Sequence, residues 1–398
     1  MIAITGAGVV SSYGVGLELF REGIFSHQGI SSDTRIDLVR YGLKEAGFIR
    51  DFSSKKYIPA MKARRMSRVS QLALIASREA WDNAGRETPP SDPERSGVIV
   101  GTGLGSVSST DAFFEGLLLR GPLETNPMIF PETVQNIAAA HISIELGIRG
   151  PNTTFSQGDV AGEQALYYAV QLLRERIADT ALVCGVDELS EILLLGMRTL
   201  RLLSKTSCLC PFDKRRDGIV PSEGAAALVL ERKEDAEKRG AKIWGYVRGI
   251  GANTDSVGRF SYSSPEYMKN AMEMALKEAG CLPDFISASA NSTRELDFSE
   301  ASAIRALFGH RIPVTALKSQ TGSFMASGIM KIVAALLSMG EGFIPPVFGL
   351  VDPEMPGIDY VMDTPRQQPL RSGLVNSFSH GGANICVMVA GPDQGGDA

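Results

Sequence analysis

Residues 163–185, EQALYYAVQLLRERIADTALVCG, decide the fold class of this chain. Apolar residues recur at helical spacing in the first part, and a short apolar run that ends in glycine, ALVCG, follows at 181–185. Upstream, the amphipathic stretch 69–84 is likewise followed by GVIV at 97–100, and AAALVLE at 225–231 adds a further apolar run. Strands that alternate with helices in this way predict an α/β fold with buried sheets.

The strand–helix pattern starts again after the charged stretch 232–242. The second set of strand-like runs and amphipathic stretches lies at 243–250, 266–280, 327–339, 373–378 and 384–390. Because the order of patterns resembles that of the first part, the sequence predicts two related halves, 1–242 and 243–398.

Charge and composition exclude several classes of protein for this 398-residue chain. Lys and Arg number 40 against 45 Asp and Glu, so the net charge is −5 and no basic excess is available for nucleic acid. No apolar run reaches the roughly 18 residues of a membrane span. The segment IAITGAG after Met1 predicts a strand and a turn rather than a signal peptide. We therefore expect a cytoplasmic protein that binds neither nucleic acid nor membrane.

The cysteines and histidines have no spacing typical of a metal site. They are Cys184, Cys208, Cys210, Cys281 and Cys386, and His27, His141, His310 and His380. The odd number of cysteines and the lack of a CxxC pair predict reduced thiols, with Cys208 and Cys210 structural or incidental. The turn GTGLGS carries Ser106 where a dinucleotide-binding loop needs its third glycine. The sequence therefore predicts neither a metal nor a cofactor.

Six blocks of sequence, taken in order, resemble the β-ketoacyl-acyl-carrier-protein synthases, or ketosynthases. The blocks are ITGAGVVSSYGVG at 4–16, GVIVGTGLGS at 97–106, residues 126–152, residues 210–249, VTALKSQTG at 314–322 and NSFSHGGAN at 376–384. Together they extend over nearly the whole chain. The resemblance implies the thiolase fold, in which two pseudo-symmetric halves form a layered αβαβα core, and it implies a dimer.

The resemblance also locates three catalytic positions, and this chain carries a different residue at each. Ketosynthases accept an acyl group on a cysteine thiolate at the start of a helix, and two histidines assist decarboxylation of a malonyl unit and stabilise the enolate. Asp159 lies at the nucleophile position, Ser289 at the first histidine and Ser323 at the second. Lys318 retains the family's lysine, and His380 replaces a gatekeeper phenylalanine.

Asp159 has two interpretations. A carboxylate is a poor acyl acceptor, and loss of a catalytic nucleophile costs roughly 10⁶ in turnover, so we expect no condensation by this chain alone. Aspartate is also a good helix N-cap worth about 1 kcal/mol, and the sequence predicts that Asp159 caps a helix at about 160–177. The other interpretation is a residual site in which Asp159 and His380 act with the two serines. Lys331 lies where the family usually has a glutamate.

Within the family, a ketosynthase-like chain without the nucleophile resembles the chain length factors of type II polyketide synthases. The resemblance implies a non-catalytic subunit that pairs with an active ketosynthase and shapes the tunnel for the growing chain, while the carrier protein docks mainly on the active partner. Many chain length factors have glutamine at the nucleophile position, and Asp159 differs from it. The sequence therefore does not decide whether the pathway makes aromatic, polyene or aryl-polyene products.

Two other functions stay open from the sequence. One is a stand-alone enzyme that uses Asp159 and His380 for decarboxylation or acyl transfer. The other is a scaffold that binds acyl chains or carrier protein without directing product length.

Two segments, 107–118 and 126–132, match the interface and tunnel regions of the family. The candidate tunnel residues are Phe113, Phe114, Met128, Ile129 and Phe130. Ordinary core or interface packing is the other interpretation of these side chains.

Overall fold

In the computed structural model, which describes residues 1–26, 30 and 36–392, strands and helices alternate along the chain. The strands are β1 (Ile2–Ser11), β2 (Gly14–Val15), β3 (Ser96–Gly101), β4 (Asn152–Phe155), β5 (Thr180–Asp187), β6 (Gly224–Arg232), β7 (Gly245–Thr254), β8 (Phe285–Ser287), β9 (Pro313–Thr315), β10 (Phe343–Ile344), β11 (Asp359–Tyr360), β12 (Arg366–Gln367), β13 (Ser372–Phe378) and β14 (Ala383–Ala390). The α-helices are α1 (Leu17–Phe25), α2 (Ala60–Ala63), α3 (Arg68–Asn83), α4 (Val107–Arg120), α5 (Ile137–Leu146), α6 (Ala161–Arg174), α7 (Glu191–Thr199), α8 (Lys233–Lys238), α9 (Pro265–Ala279), α10 (Arg294–Phe308), α11 (Lys318–Thr321) and α12 (Gly328–Glu341). The stretch 163–185 forms most of α6 and most of β5, as predicted. His27 lies outside the described residues.

Two sets of five strands repeat one pattern within a continuous mixed sheet. Its strand order among the described residues is β11–β9–β8–β13–β14–β7–β1–β6–β5–β3–β4, with β2 on β1. In one set β4, β3 and β5 are parallel and β6 and β1 antiparallel. In the other set β9, β8 and β13 are parallel and β14 and β7 antiparallel. The sets meet where β1 pairs with β7. The predicted α/β fold is confirmed, while the boundary between residues 242 and 243 stays a prediction.

Three apolar clusters place the helices in layers around these strands. Helices α3 and α5 pack on one face of the first set, around Trp81 and Leu72. Helices α9 and α10 pack on the second set, around Met272 and Ile304. Between the two sets lie α6 and α12, whose apolar residues share one cluster with strands of both. Because α12 contacts sheet on two sides, its sequence is apolar almost all round.

Two glycines allow the central layer to approach the strands that carry the site. A Cβ at Gly101 in β3 would lie 2.2 Å from the carbonyl oxygen of Ala161, the first residue of α6. A Cβ at Gly185 in β5 would lie 2.4 Å from the carbonyl oxygen of Ala326. Only glycine fits such close backbone contacts, so these positions fix where α6 begins and where the segment before α12 passes.

The cysteines differ from the prediction at one pair. Cys208 and Cys210 form a disulfide, with their Cα atoms 5.4 Å apart, so the expectation of five reduced thiols is wrong for these two. One intervening residue leaves their Cα atoms within the usual range for a disulfide, and the absence of a CxxC pair did not exclude this. Cys184 and Cys386 are free and buried, and Cys281 is free and exposed. Over the described part of the chain, the helices are too short or too polar to cross a membrane.

Candidate functional site

A cavity of about 850 Å³ opens where three segments of the chain meet. They are the 3-10 turn Gly158–Val160 before α6, the loop with Ser323 after α11, and the loop with His380 after β13. The rest of the wall is mainly apolar and includes Leu104, Ile192, Leu193, Met197, Leu200 and Phe324. A large apolar pocket with a few converging polar groups is the usual form of a small-molecule site.

Asp159 lines this cavity between Lys318 and His380. Its Oδ1 atom is 3.8 Å from Nζ of Lys318, and its Oδ2 atom is 3.7 Å from Nδ1 of His380. The predicted helix cap is wrong, because Val160 is the N-cap residue of α6 and Asp159 lies in the preceding turn. The carboxylate is directed to Lys318 and His380, which attract its charge more effectively than the backbone N–H groups of α6.

The environment keeps the Asp159 carboxyl ionised. Burial by itself raises its pKa, but the His380 ring and the Lys318 ammonium outweigh burial, and the pKa lies below its ordinary value. A carboxylate that is ionised and held by two partners is a weak nucleophile toward a thioester. The residue at the predicted nucleophile position therefore carries a negative charge rather than a reactive group.

A second pair of opposite charges lies deeper, between α6 and α12. The Nζ atom of Lys331 is 3.6 Å from Oε1 of Glu163, and both side chains are fully buried. Lys331 also donates hydrogen bonds to the carbonyl oxygen of Asn376 and to Oγ of Ser377, the latter at 2.6 Å. Ser377 in turn donates to Glu163. The sequence singled out Lys331, but it gave no signal for its partner on α6.

Ser289 lies behind the cavity wall and is fully buried. Its N–H donates to Oε1 of Glu300 over 2.9 Å, and its Oγ accepts a hydrogen bond from the N–H of Phe378 over 3.2 Å. Burial raises the pKa of Glu300 to about 7, although the hydrogen bond from Ser289 opposes this. The hydroxyl of Ser289 is thus part of the packing, and it does not line the cavity as an imidazole replacement would.

Ser323 lines the cavity, and its backbone is fixed by Val220 and Ser222 on the neighbouring segment. Two residues that the sequence analysis missed complete the site. The Oγ of Ser379 accepts a hydrogen bond from the N–H of Asp159 over 3.1 Å. The ring of Tyr262 packs on His380 with centroids 4.0 Å apart. Ser379 stands inside the NSFSHGGAN block and was visible there, whereas nothing in the sequence pointed to Tyr262.

The five predicted tunnel residues lie on a separate surface and do not line this cavity. Phe113 packs against the rings of Phe114 and Phe130, with centroids 5.9 and 5.4 Å away. Phe114, Met128 and Phe130 are each more than half exposed. The structure therefore brings α4 and the segment after it together into one apolar surface. Within the described residues, no group of three or more His, Cys, Asp or Glu side chains is arranged to hold a metal.

Comparison with known sequences gives matches over most of the chain. The profile of the β-ketoacyl synthase N-terminal domain matches residues 1–236, and that of the C-terminal domain matches residues 244–350. The 3-oxoacyl-[acyl-carrier-protein] synthase 2 of Coxiella burnetii is 30% identical over 406 residues, which cover 98% of each chain. The enzyme of the same name from Vibrio harveyi is 29% identical over 96% of each chain.

Two solved structures also match this chain over nearly its whole length. A β-ketoacyl synthase from Burkholderia phymatum superposes with a TM-score of 0.90 at 27% identity, over 98% of this chain and 99% of the other. The ishigamide ketosynthase/chain length factor superposes with a TM-score of 0.92 at 27% identity, over 98% of each. These similarities confirm the expected thiolase-like fold.

Proposed function

This chain belongs to the β-ketoacyl synthase family, and we propose that it serves there as a chain length factor, the non-nucleophilic subunit of a heterodimer with an active ketosynthase. In that role it contributes one wall of the tunnel that holds the growing polyketide or polyene chain. The carrier protein docks mainly on the active partner. No cofactor takes part.

The observation that carries the proposal is the ionised carboxylate of Asp159 at the acyl-acceptor position. Lys318 and His380 hold it, and it has no thiol to offer a thioester. Ser289 and Ser323 supply hydroxyls where two imidazoles would be needed to decarboxylate a malonyl group and stabilise the enolate. With all three predicted catalytic positions changed, the chain keeps a complete fold without the side chains of the family's chemistry.

The names of the relatives do not decide between a synthase and a chain length factor. The curated relatives are named as 3-oxoacyl-[acyl-carrier-protein] synthase 2, and one structural neighbour is a ketosynthase/chain length factor. Identity to both kinds is below about a third. The residues at the three catalytic positions therefore weigh more than overall similarity.

The surface around α4 supports a partner subunit. We define the α4 surface by its exposed apolar side chains, Phe114, Leu118, Leu119, Leu123, Met128 and Phe130. Four of these stand close together in sequence on α4 or just after it, and three are at least three-quarters exposed. Monomeric proteins seldom leave so many large apolar residues together in water. Strand β4 follows this region in the sequence. It lies at the edge of the sheet and is only partly buried.

The tunnel assignment follows from the same surface. Phe113, Phe114, Met128, Ile129 and Phe130 do not line the cavity of their own chain, so their proposed place is at the interface, where they close the partner's acyl tunnel. Larger side chains there would shorten the tunnel and give shorter products, because overpacking a filled pocket costs about 1–3 kcal/mol.

The test is native mass spectrometry of this chain co-expressed with a ketosynthase that retains the cysteine and both histidines. We expect a one-to-one heterodimer. Phe114→Glu, on the α4 surface, should abolish the heterodimer, whereas Phe298→Glu should leave it intact. Phe298 is the matched control because it is as exposed as Phe114, 51% against 52%, and also lies on a helix. A homodimer that ignores the ketosynthase would overturn the proposal.

The cavity supports one second candidate, a stand-alone enzyme that uses Asp159 and His380. Both residues line a pocket large enough for an acyl chain, and their side chains are 3.7 Å apart. This candidate requires decarboxylation or transfer of a malonyl or acyl thioester by the chain without any partner, lost in both Asp159→Ala and His380→Ala. Absence of such activity in the pure chain would remove it.

A further inference from the structure

The hydroxyl of Ser379 occupies the space beside the backbone of residue 159. It accepts the hydrogen bond of the Asp159 N–H over 3.1 Å, and Ser379 is almost completely buried. The fit is close, since a Cβ on Gly158 would lie 2.6 Å from the same oxygen. The N–H of Asp159 is thus directed at a protein acceptor instead of the cavity.

Acyl transfer needs a hydrogen-bond donor beside the attacked carbonyl group. When a nucleophile attacks a thioester, the carbonyl oxygen becomes an oxyanion, and backbone N–H groups of the nucleophile and its neighbours commonly stabilise it. Removal of one such donor costs about 10²–10³ in rate. For any nucleophile at position 159 the nearest backbone donor is its own N–H, which in this chain is already bonded.

We propose that Ser379 is a second residue that prevents acyl transfer in this chain. Its hydroxyl accepts the hydrogen bond of the residue 159 N–H, which is then not available to stabilise an acyl oxyanion. The chain is then inert toward acyl thioesters for two independent reasons, the carboxylate of Asp159 and the occupied N–H. The inference rests on the proposed function only in taking position 159 as the acyl-acceptor position.

The loop does not need this hydroxyl to hold its shape. The N–H of Ser379 donates to the carbonyl oxygen of Ala383 over 2.9 Å, and its own carbonyl oxygen accepts from Gly382 over 3.2 Å. These backbone bonds persist when the side chain is shortened. Ser379→Ala should therefore fold normally and leave the Asp159 N–H free to face the cavity.

The test compares Asp159→Cys with Asp159→Cys/Ser379→Ala, both in a Cys281→Ser background because Cys281 is exposed. Each protein is treated with two reagents, and the products are followed by intact-protein mass spectrometry. Iodoacetamide alkylates a thiolate by displacing iodide, with no oxyanion. A hexanoyl thioester of N-acetylcysteamine acylates it through an oxyanion. The new carbon–sulfur bond to Cys replaces the bond to N-acetylcysteamine, which leaves as the thiolate.

The ratio of the acylation rate to the alkylation rate isolates the oxyanion contribution from thiol exposure and pKa. We expect Ser379→Ala to raise this ratio by about 10–100-fold. Ser338→Ala, which removes another buried hydroxyl on α12, serves as the control and should leave the ratio unchanged. An equal ratio with and without Ser379 would overturn the inference, whatever the outcome of the heterodimer experiment.

A second measurement uses the chain with its aspartate in place and covers the case in which the new thiol reacts with neither reagent. Amide hydrogen exchange at residue 159 should be at least about tenfold faster in Ser379→Ala than in the unaltered protein, because the N–H loses its acceptor. Exchange at the same rate in both proteins would show that the hydroxyl does not hold this N–H, and the inference would fail.

Discussion

Asp159 places a negative charge at the predicted nucleophile position, and its neighbours make that charge tolerable. A buried carboxylate without partners costs several kcal/mol, so it needs cations nearby. Lys318 supplies one directly and Lys331 contributes from the next layer, while the His380 ring lies against the other carboxylate oxygen. Two buried acids, Asp159 and Glu163, thus face two buried lysines. The lysine at position 331, where a glutamate is usual in the family, fits this balance of charge.

Glu300 gives a prediction for the pH dependence of stability. Burial raises its pKa to about 7 from an ordinary value of 4.5. Between these values the folded protein binds a proton that the unfolded chain has lost, so the free energy of unfolding falls as pH rises. The full effect of this one group is about 3 kcal/mol. Glu300→Gln cannot ionise, and its stability should fall less between about pH 5 and pH 8.

Urea denaturation at several pH values measures this slope. Burial also raises the pKa of Asp187 and of Asp297, each to about 6, and these groups contribute to the slope in both proteins. Glu266→Gln is the matched control, because Glu266 is exposed on α9. If Glu300→Gln and the control keep the same pH slope as the unaltered protein, Glu300 is not the group that titrates.

At the scale of elements, α6 and α12 are joined both by apolar packing and by the Lys331–Glu163 pair. The close approach that Gly185 permits brings the segment before α12 and the start of α12 against the strands, and both charged side chains are buried there. Removal of one member of such a pair leaves the other buried without a counterion, which typically costs 3–5 kcal/mol. Removal of both avoids that penalty.

A double-mutant cycle tests this coupling between the two helices. Lys331→Met should lower the free energy of unfolding by about 3–5 kcal/mol because it leaves Glu163 buried without its counterion. Lys331→Met combined with Glu163→Gln should lose less than Lys331→Met alone, since the glutamine still accepts from Ser377. Urea denaturation at neutral pH of these two proteins and of Glu163→Gln alone gives the three losses of the cycle. Losses that simply add would mean that the pair is not coupled and that α6 and α12 are held by packing alone.

The elements were predictable from sequence, and the contacts between distant elements were not. Hydrophobic periodicity located α6, α9, α12 and the long strands, because each element's pattern lies in consecutive residues. The motif order located Asp159, Ser323 and His380, which the structure brings to one cavity. The bond between Asp159 and Ser379 joins residues 220 positions apart, and Glu163 meets Lys331 across two helices, so no local pattern predicts either.

At the scale of the whole molecule, the chain combines a complete fold with an uncovered apolar surface. All layers of the core are present, and buried side chains fill the space between both sets of strands. On the α4 surface, however, Leu118, Leu119 and Leu123 point into water close together. We propose that a partner subunit covers this surface.

A bound partner should therefore appear in the thermal stability of the complex. Because dissociation accompanies unfolding, each hundredfold rise in concentration adds up to about 2.7 kcal/mol to the folded heterodimer. This predicts a Tm that rises by about 1–2 °C over that range, measured by differential scanning fluorimetry on the purified pair. Phe114→Glu should remove the concentration dependence, whereas Phe298→Glu should preserve it. A Tm of the unaltered pair that is independent of concentration would mean that the two chains unfold separately and that the α4 surface is not their interface.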